Sequence, residues 1–430
     1  MNKKFSVPRG TNDILPDAVP LWEDLEAKAR KILKSYSYRE IRTPVYEDIF
    51  LFKRSLGQTS DVVNKQLLEL ASNKAAPSEG DEGLALRPEG TAAVVRSYLE
   101  NSMDGKEALS KLFYMGPMFR GERPQKGRLR QFHQIGVEAI GPNSTSPYLD
   151  AEVIALSIHL LSELGVNDYR LKINSLGSKE DKAHVSAWLR ERLALSVSDL
   201  CEDCASRYER NVFRVLDCKK ESCRKVVASL VSDLPLSDES QAYFQSVQAA
   251  LKDIGIAFEI APHLVRGLDY YTHTVFEITA GGGLGSQDAV GAGGRYNGLI
   301  HELGGNEKTN YGAIGFALGI ERILLASGQS TSPLPSLDAY VIAMDAVNQS
   351  QAFALVSLIR KAGLSADMSY AGGSIKSQMG KANKANSRFA LILGEEEMKN
   401  KTVALKDMQA GVQEIVAVND IVAILKNKLT

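Results

Sequence analysis

The chain has 430 residues, of which 44% are hydrophobic, so it can bury a sizeable core and is long enough for two or three domains. Its 51 basic and 52 acidic residues give a formal net charge of −1, which argues against a protein that coats nucleic acid by charge alone. No apolar run is long enough to span a bilayer, so no membrane partner is expected. The first ten residues turn polar before a signal-peptide region could form, and we therefore expect a cytoplasmic enzyme.

The first part of the chain mixes helix and strand patterns. The predicted elements are a helix over 21–36 opened by Pro20, an extended segment at 39–45, strand-like runs flanking a basic loop between 111 and 140, a helix over 150–164 and a strand at 169–173. Strands return at 275–278, a glycine-rich stretch follows over 281–298, and a helix is predicted at about 316–325.

Between these parts, residues 179–251 are charged and helix-prone, with few strand signals. Leu193, Leu195 and Leu200 could serve one small helical core. This change of character predicts a helical insertion at about 178–258 in a first domain that covers residues 1–330.

Residues 331–336 belong to a Ser- and Pro-rich stretch whose composition is typical of a linker. Beyond it, over 337–430, strand and helix patterns alternate, which predicts a compact C-terminal α/β domain. Its predicted elements are strands at 339–344, 366–368 and 389–393, helices at 349–362, 375–386 and 420–428, and a hairpin at 403–418.

Four cysteines lie within the predicted helical insertion. Cys201 and Cys204 form a C-x-x-C pair, and Cys218 and Cys223 follow. Tetrahedral zinc takes four thiolates from such paired turns. The second pair has a wider spacing, which favours four reduced thiols over a zinc site, so zinc is an alternative that the sequence leaves open. Because the four residues lie away from every motif that carries chemistry, no metal is expected to be required there for a reaction.

The strongest chemical signal is the stretch 119–123 (FRGER), followed by a basic loop and by 131–138 (QFHQIGVE). An arginine at a strand edge beside such a loop suits the binding of a triphosphate and an RNA end. The alternative is a solvated basic hairpin. A P-loop is excluded because the chain lacks its G-x-x-x-x-G-K-[ST] sequence, and the glycine-rich stretch has no Rossmann spacing.

Other motifs favour the chemical interpretation. The stretch 119–138 resembles motif 2 of the class II aminoacyl-tRNA synthetases, 42–44 (RTP) resembles motif 1, and 312–322 (GAIGFALGIER) resembles motif 3. Residues 87–91 (RPEGT) are similar to the loop that binds the amino acid in that class. Two further stretches, 264–272 (LVRGLDYYT) and 291–298 (GAGGRYNG), resemble the signatures of its histidine-specific family, in the bacterial form.

The resemblance covers essentially the whole chain. It implies an α+β catalytic domain with a mainly antiparallel sheet flanked by helices, the helical insertion, and an anticodon-binding α/β domain. It also implies a homodimer, with Pro44 at its interface. The implied reaction activates L-histidine with ATP and magnesium to histidyl-adenylate, then transfers histidine to the 3′-terminal adenosine of its tRNA.

The resemblance also implies the roles of particular residues. Histidine would be bound by Glu89, Thr91, Gln134, Glu138, Tyr270 and Tyr271. ATP would be bound by Arg120, Arg266 and Arg322, and the catalytic set would be Arg266, Arg120 and Glu89. Arg123 and Gln125 would lie where the acceptor end of the tRNA enters.

The chemistry of imidazole explains the roles of two of these residues, because its neutral ring has one N–H donor and one acceptor nitrogen. A selective pocket needs a carboxylate at one edge, here Glu138, and a hydroxyl at the other, here Tyr271.

The rival interpretation is a catalytically inactive, histidine-sensing regulatory paralogue of histidine biosynthesis. That paralogue would have lost the C-terminal domain and the catalytic arginines, and this chain has both.

Overall fold

The computed structural model describes residues 5–57, 60, 62–71, 83–231, 233–281, 288–329 and 337–429. Within them the chain forms two compact units, one from 5–13 and 23–329 and the other from 14–22 and 337–429. The predicted linker at 331–336 and residues 282–287 of the glycine-rich stretch lie outside the described residues. None of the helices in the described ranges has the length and apolar character that crossing a bilayer requires.

Up to residue 329 the chain contains eleven strands and eleven α-helices within the described ranges. The strands are β1 (Arg39–Glu40), β2 (Tyr46–Asp48), β3 (Leu68–Leu70), β4 (Leu84–Leu86), β5 (Ser110–Phe119), β6 (Gln131–Pro142), β7 (Tyr169–Ser175), β8 (Glu259–Ile260), β9 (Thr272–Ala280), β10 (Ala289–Arg295) and β11 (Tyr311–Gly319). The helices are α1 (Val19–Ser35), α2 (Ile49–Ser55), α3 (Thr91–Glu100), α4 (Pro147–Glu163), α5 (Lys179–Leu193), α6 (Glu202–Arg210), α7 (Phe213–Leu216), α8 (Glu221–Leu230), α9 (Asp238–Asp253), α10 (Asn297–Glu302) and α11 (Ile320–Ser327).

The first unit is built on an eight-stranded sheet in the order β1-β5-β6-β11-β10-β9-β7-β8. All its neighbouring strands are antiparallel except the edge pairs β1–β5 and β7–β8, which are parallel. Helices α3, α4 and α11 pack against this sheet, and β2, β4 and β3 form a separate small antiparallel sheet. The predicted fold class, a mainly antiparallel sheet flanked by helices, is confirmed.

One predicted element is wrong in part. The helix expected at about 316–325 begins only at Ile320, because residues 311–319 form β11. This strand is bonded to β6 on one side and β10 on the other, and most of its residues are buried. A strand covered on both faces gives a near-continuous apolar run, which periodicity alone cannot distinguish from a buried helix.

Helices α5 to α9 form the helical insertion, between β7 and β8. Leu193 and Leu200 are buried in it as expected, but Leu195 is 97% exposed, because it lies in a 3-10 turn (Ala194–Asp199) rather than in a continuing helix. A fully buried ion pair at 2.6 Å joins Arg295 of β10 to Asp150 of α4. Arg295 Nε also donates to Tyr243 Oη of α9 at 2.9 Å, which ties the insertion to the sheet.

The second unit contains β12 (Ala339–Ala343), β13 (Ala366–Met368), β14 (Phe389–Leu393), β15 (Thr402–Asp407), β16 (Gln413–Ala417), α12 (Gln349–Lys361), α13 (Ile375–Lys384), α14 (Glu395–Asn400) and α15 (Ile421–Leu429). Its sheet has the order β13-β12-β14-β15-β16, with β13, β12 and β14 parallel and the last two strands antiparallel. The predicted α/β pattern is confirmed. The short helix α14, capped by the Glu397 side chain on Gly394 N, was not predicted.

Candidate active site

A cavity of about 270 Å³ lies on the sheet of the first unit. All nine residues predicted to bind histidine or ATP line it, namely Glu89, Thr91, Gln134, Glu138, Tyr270, Tyr271, Arg120, Arg266 and Arg322. They come from β6, α3, α11, the loop before β9, and the positions just after β5 and just before α3, so residues far apart in sequence meet at one place.

Glu138 lies on β6 and its side chain is buried. Thr91 Oγ1 donates to Glu138 Oε1 at 2.7 Å, and Tyr296 Oη donates to Oε2. Its partner across the sheet is Gly315 of β11, where an added Cβ would lie 2.0 Å from Glu138 Oε2. The carboxylate is therefore fixed by two hydroxyl groups and by a glycine that leaves room for it.

Burial dominates the electrostatics of this group. It raises the pKa of the Glu138 carboxyl to about 8, because the charged form is taken out of water. The hydroxyls of Tyr296 and Thr91 oppose the rise, while the negative charge of Glu89 adds to it.

Glu89 precedes helix α3 and caps its N-terminus. Its two carboxylate oxygens accept from Thr91 N at 2.6 Å and Ala92 N at 2.9 Å. Burial raises the pKa of Glu89, and the two N–H groups and the positive charge of Arg120 partly oppose that rise. The helix N-terminus favours negative charge at this position, which helps to hold the carboxylate in place.

The three arginines are held by protein oxygen atoms. Arg120 Nε donates to Pro88 O at 2.9 Å, and its guanidinium lies 5.1 Å from the centre of the Phe132 ring. Arg322 Nε donates to Gly127 O at 2.8 Å, and its Nη1 donates to Ala289 O. Burial lowers the pKa of Arg120 and Arg322, but an arginine stays protonated, so both remain fixed positive charges.

Arg266 differs, because it forms an ion pair. Its Nη1 lies 2.6 Å from Glu277 Oε2, on the neighbouring strand β9. Its Nε is buried and has no hydrogen-bond partner among the described residues. The charge is therefore partly balanced within the protein, and one donor remains for a ligand.

Three aromatic rings and one amide complete the wall of the cavity. The rings of Tyr270 and Tyr271 are 4.6 Å apart, and Tyr270 meets Tyr296 edge-on at 5.7 Å. Burial raises the pKa of Tyr271 to about 12, so its hydroxyl keeps its proton. Gln134 Oε1 is buried and has no partner within the described part of the chain, which leaves an acceptor for a ligand.

Comparisons with known proteins show which family the chain belongs to. The histidyl-tRNA synthetase family matches residues 10–323, and the anticodon-binding domain family matches 338–428. The chain belongs to the histidyl-tRNA synthetase family. It is similar to a histidine–tRNA ligase of Geobacillus sp. (strain WCH70), with 46% identity over 99% of this chain and 100% of that one. A ligase of Desulforamulus reducens is 43% identical, with 97% and 98% covered.

Among solved structures, the chain is similar to apo histidyl-tRNA synthetase from S. aureus, with 34% identity, a TM-score of 0.79 and coverage of 98% and 100%. It also shares its fold with a Bacillus halodurans C protein described as an ATP phosphoribosyltransferase regulatory subunit/histidyl-tRNA synthetase, at 20% identity and a TM-score of 0.62. That likeness shows the fold alone. The full-length ligase relatives above do not favour the regulatory alternative.

Within this family framework, three site residues received no role in the sequence analysis. Tyr296, a donor to Glu138, was part of a recognised stretch but received no role. Glu277, the partner of Arg266, stands in an apolar strand pattern, and a lone charge there is the signal that could have found it. A third residue, Glu321, joins α11 to β6 by accepting from His133 N at 3.0 Å.

Arg123 and Gln125 do not line the cavity. They are exposed in the loop between β5 and β6, where Gln125 and Arg128 form a tight turn through backbone bonds of 3.0 and 2.8 Å. Arg128 is also paired with Glu122 at 3.2 Å.

The raised pKa of Glu138 predicts a pH effect on stability. The carboxyl should lose its proton near pH 4.3 when unfolded and near 8 when folded, so its contribution to stability falls as the pH rises between about 4.3 and 8. Glutamine cannot titrate. The Tm of Glu138→Gln relative to wild type should therefore increase from about pH 6 to pH 8.5 and then level off. The exposed Glu163→Gln variant is the control. A flat or falling difference for Glu138→Gln would contradict the shift.

Proposed function

We propose that this chain activates L-histidine with ATP and transfers it to the 3′-terminal adenosine of its tRNA. The observation that carries this proposal is the cavity, which is lined by a buried carboxyl group held by two hydroxyls and by fixed arginines. The full-length similarity to histidine–tRNA ligases supports the same activity.

The amino acid would be recognised at both of its ends. Glu89 and the unpartnered oxygen of Gln134, which line the same cavity, would offer acceptors for the α-ammonium group, with Thr91 and Tyr270 positioning it. Glu138 would accept the imidazole N–H while the Tyr271 hydroxyl meets the other nitrogen. An amino acid without these ring nitrogens would leave buried polar groups unpaired, which costs free energy and rejects it.

ATP would be held by the arginines. Arg120 and Arg266 would contact the α-phosphate and Arg322 the γ-phosphate, since fixed cations stabilise the charge that develops during phosphoryl transfer. The cavity also contains the carboxylates of Glu122 and Glu277, hard oxygen donors of the kind magnesium accepts. Magnesium held there would neutralise part of the charge on the phosphates of ATP.

The first step joins a histidine carboxylate oxygen to the α-phosphorus and breaks the bond to the β-phosphate, releasing pyrophosphate. In the second step the terminal adenosine hydroxyl attacks the carbonyl carbon of the adenylate, and AMP leaves. Arg266 would act chiefly in the first step, because its unpartnered Nε can donate as charge grows on the phosphoryl oxygens.

The tRNA would contact both units. Arg123 and Gln125 are exposed in the β5–β6 loop and can meet the acceptor end. In the second unit, Lys376 and Lys384 of α13 are exposed, which supports an anticodon-binding face there. Two other basic residues, one on α13 and one just after it, have partners, since Lys381 donates to Ser369 Oγ at 2.7 Å and Arg388 pairs with Asp407 at 2.5 Å.

A homodimer is part of this proposal. Beside Pro44, the large apolar side chains of Val45, Tyr46, Phe50 and Leu84 are 39%, 49%, 45% and 43% exposed. An apolar surface of this kind is typical of a protein interface.

The direct test is ATP–pyrophosphate exchange measured with each of the common amino acids, followed by charging of unfractionated tRNA. Histidine should support exchange, the other amino acids should not, and histidine should become bound to tRNA. A regulatory histidine-binding protein would bind histidine without exchange, and that result would refute the proposed reaction.

A second test concerns the step in which Arg266 acts. Arg266→His should slow formation of the adenylate by about 10²–10³-fold in single-turnover measurements, because one preorganised cation at the reacting phosphate is lost. Arg192→His, at an exposed position of α5, is the matched control and should react like wild type. Weakened binding with an unchanged chemical step would show that the catalytic role is wrong.

A further inference from the structure

The four cysteines of the insertion come together in space. Cys201 and Cys204 lie at the start of α6, Cys223 lies in the first turn of α8, and Cys218 lies just before α8. Their four sulfur atoms are all within 4.8 Å of one another. They are free thiols rather than disulfides, and Cys204 and Cys223 are fully buried.

These distances fit one small ion. A Zn–S bond of about 2.3 Å places the sulfurs of a tetrahedral site roughly 3.8 Å apart. The Cys201 and Cys218 sulfurs are 4.0 Å apart, so only a small contraction of the cluster is needed. A cluster of several iron atoms is larger than a single ion and would need its four thiolates further apart.

The surrounding backbone suits negative charge. The N-termini of α6 and α8, helices of nine and ten residues, both begin at the cluster, and helix N-termini stabilise thiolates. Cys201 N also donates to Cys223 Sγ at 3.2 Å, across the two pairs of cysteines. The N-termini of two helices therefore meet at four sulfur atoms. Packing of apolar side chains alone would not require this arrangement.

We propose that Cys201, Cys204, Cys218 and Cys223 bind one zinc ion as a closed structural site. Each thiol gives its proton to solvent as its sulfur binds the metal. Four protein ligands leave no open position, so the ion takes no part in adenylate chemistry. The spacing of the cysteines in the sequence favours reduced thiols without metal. The convergence of the four sulfur atoms in the structure favours zinc instead.

The site has a consequence for the cavity. The segment 201–223 carries Asn211, whose Nδ2 donates to Asp269 Oδ1 at 2.7 Å. It also carries Arg214, whose Nη1 lies 3.4 Å from Arg266 O. By fixing this segment, the metal supports the loop that holds Arg266 and Tyr270. The binding of zinc itself does not depend on the proposed function.

Metal content of the full chain is the first test. The protein is purified under reducing conditions without chelator, incubated with excess zinc, desalted and measured by elemental analysis. About one zinc ion per chain should remain bound. Cobalt(II) in place of zinc should give the absorption of a tetrahedral thiolate site. Retention of less than half an equivalent, bound iron, or disulfides found by alkylation and mass spectrometry would each overturn the proposal.

Variants then locate the ion. Cys204→Ser and Cys223→Ser should each retain less than about a fifth of the wild-type zinc, since a closed site needs all four ligands. Ala228→Ser, an exposed position on α8, adds the same residue to the same helix and should keep it. Full zinc retention by a folded cysteine variant would contradict the assignment. The wild-type measurement stands even if a variant fails to fold.

Hydrogen exchange of wild type with and without a chelator separates a structural ion from an incidental one. Loss of zinc should speed amide exchange in 201–223 and in the contacting loop 264–271, while α3 stays protected. If exchange in 201–223 is unchanged after the metal has been removed, the ion does not hold the segment.

Discussion

The carboxyl group of Glu138 is buried on a strand of the main sheet, and it constrains its neighbours in the cavity. It can remain there only because Thr91 and Tyr296 supply hydroxyl donors and Gly315 leaves space beside it. A buried carboxyl group without hydrogen-bond partners would cost roughly several kcal/mol of stability. Thr91, Tyr296 and Gly315 are therefore all constrained by the need to accommodate Glu138. The proposed selectivity of the pocket and the local sequence of three chain segments therefore have one physical origin.

The same constraint bears on how charge is distributed among the side chains of the cavity. Glu89 and Glu138 share one pocket, so their negative charges oppose each other and burial raises the pKa of both. The arginines lie on the side where phosphate is proposed to bind, and Arg120 stabilises the charged form of Glu89. The acidic groups are therefore proposed to meet the ammonium and imidazole groups of histidine, and the arginines to meet the phosphates of ATP.

The sequence was sufficient for the main architecture and for the residues of the cavity, because their motifs carry distinctive residue types. Arg120 and Glu138 stand in one strand–loop–strand pattern, and the nine predicted residues do line one cavity. Their roles remain predictions. Periodicity failed at β11, where burial on both faces hides the alternation of a strand. It could not reveal the pairing of Arg266 with Glu277 or the convergence of the cysteines, because both depend on how distant segments pack.

The central claim is that Glu138 distinguishes histidine by its ring nitrogens. The most direct measurement compares kcat/KM in ATP–pyrophosphate exchange for histidine and for β-(2-thienyl)alanine, which has a ring of similar size without nitrogen, in wild type and Glu138→Ala. Wild type should prefer histidine by about 10⁴-fold or more, and the variant should lose most of that preference through a selective fall in the histidine value. An equal fall for both substrates, with the preference intact, would show that Glu138 supports the fold of the pocket and does not recognise the ring.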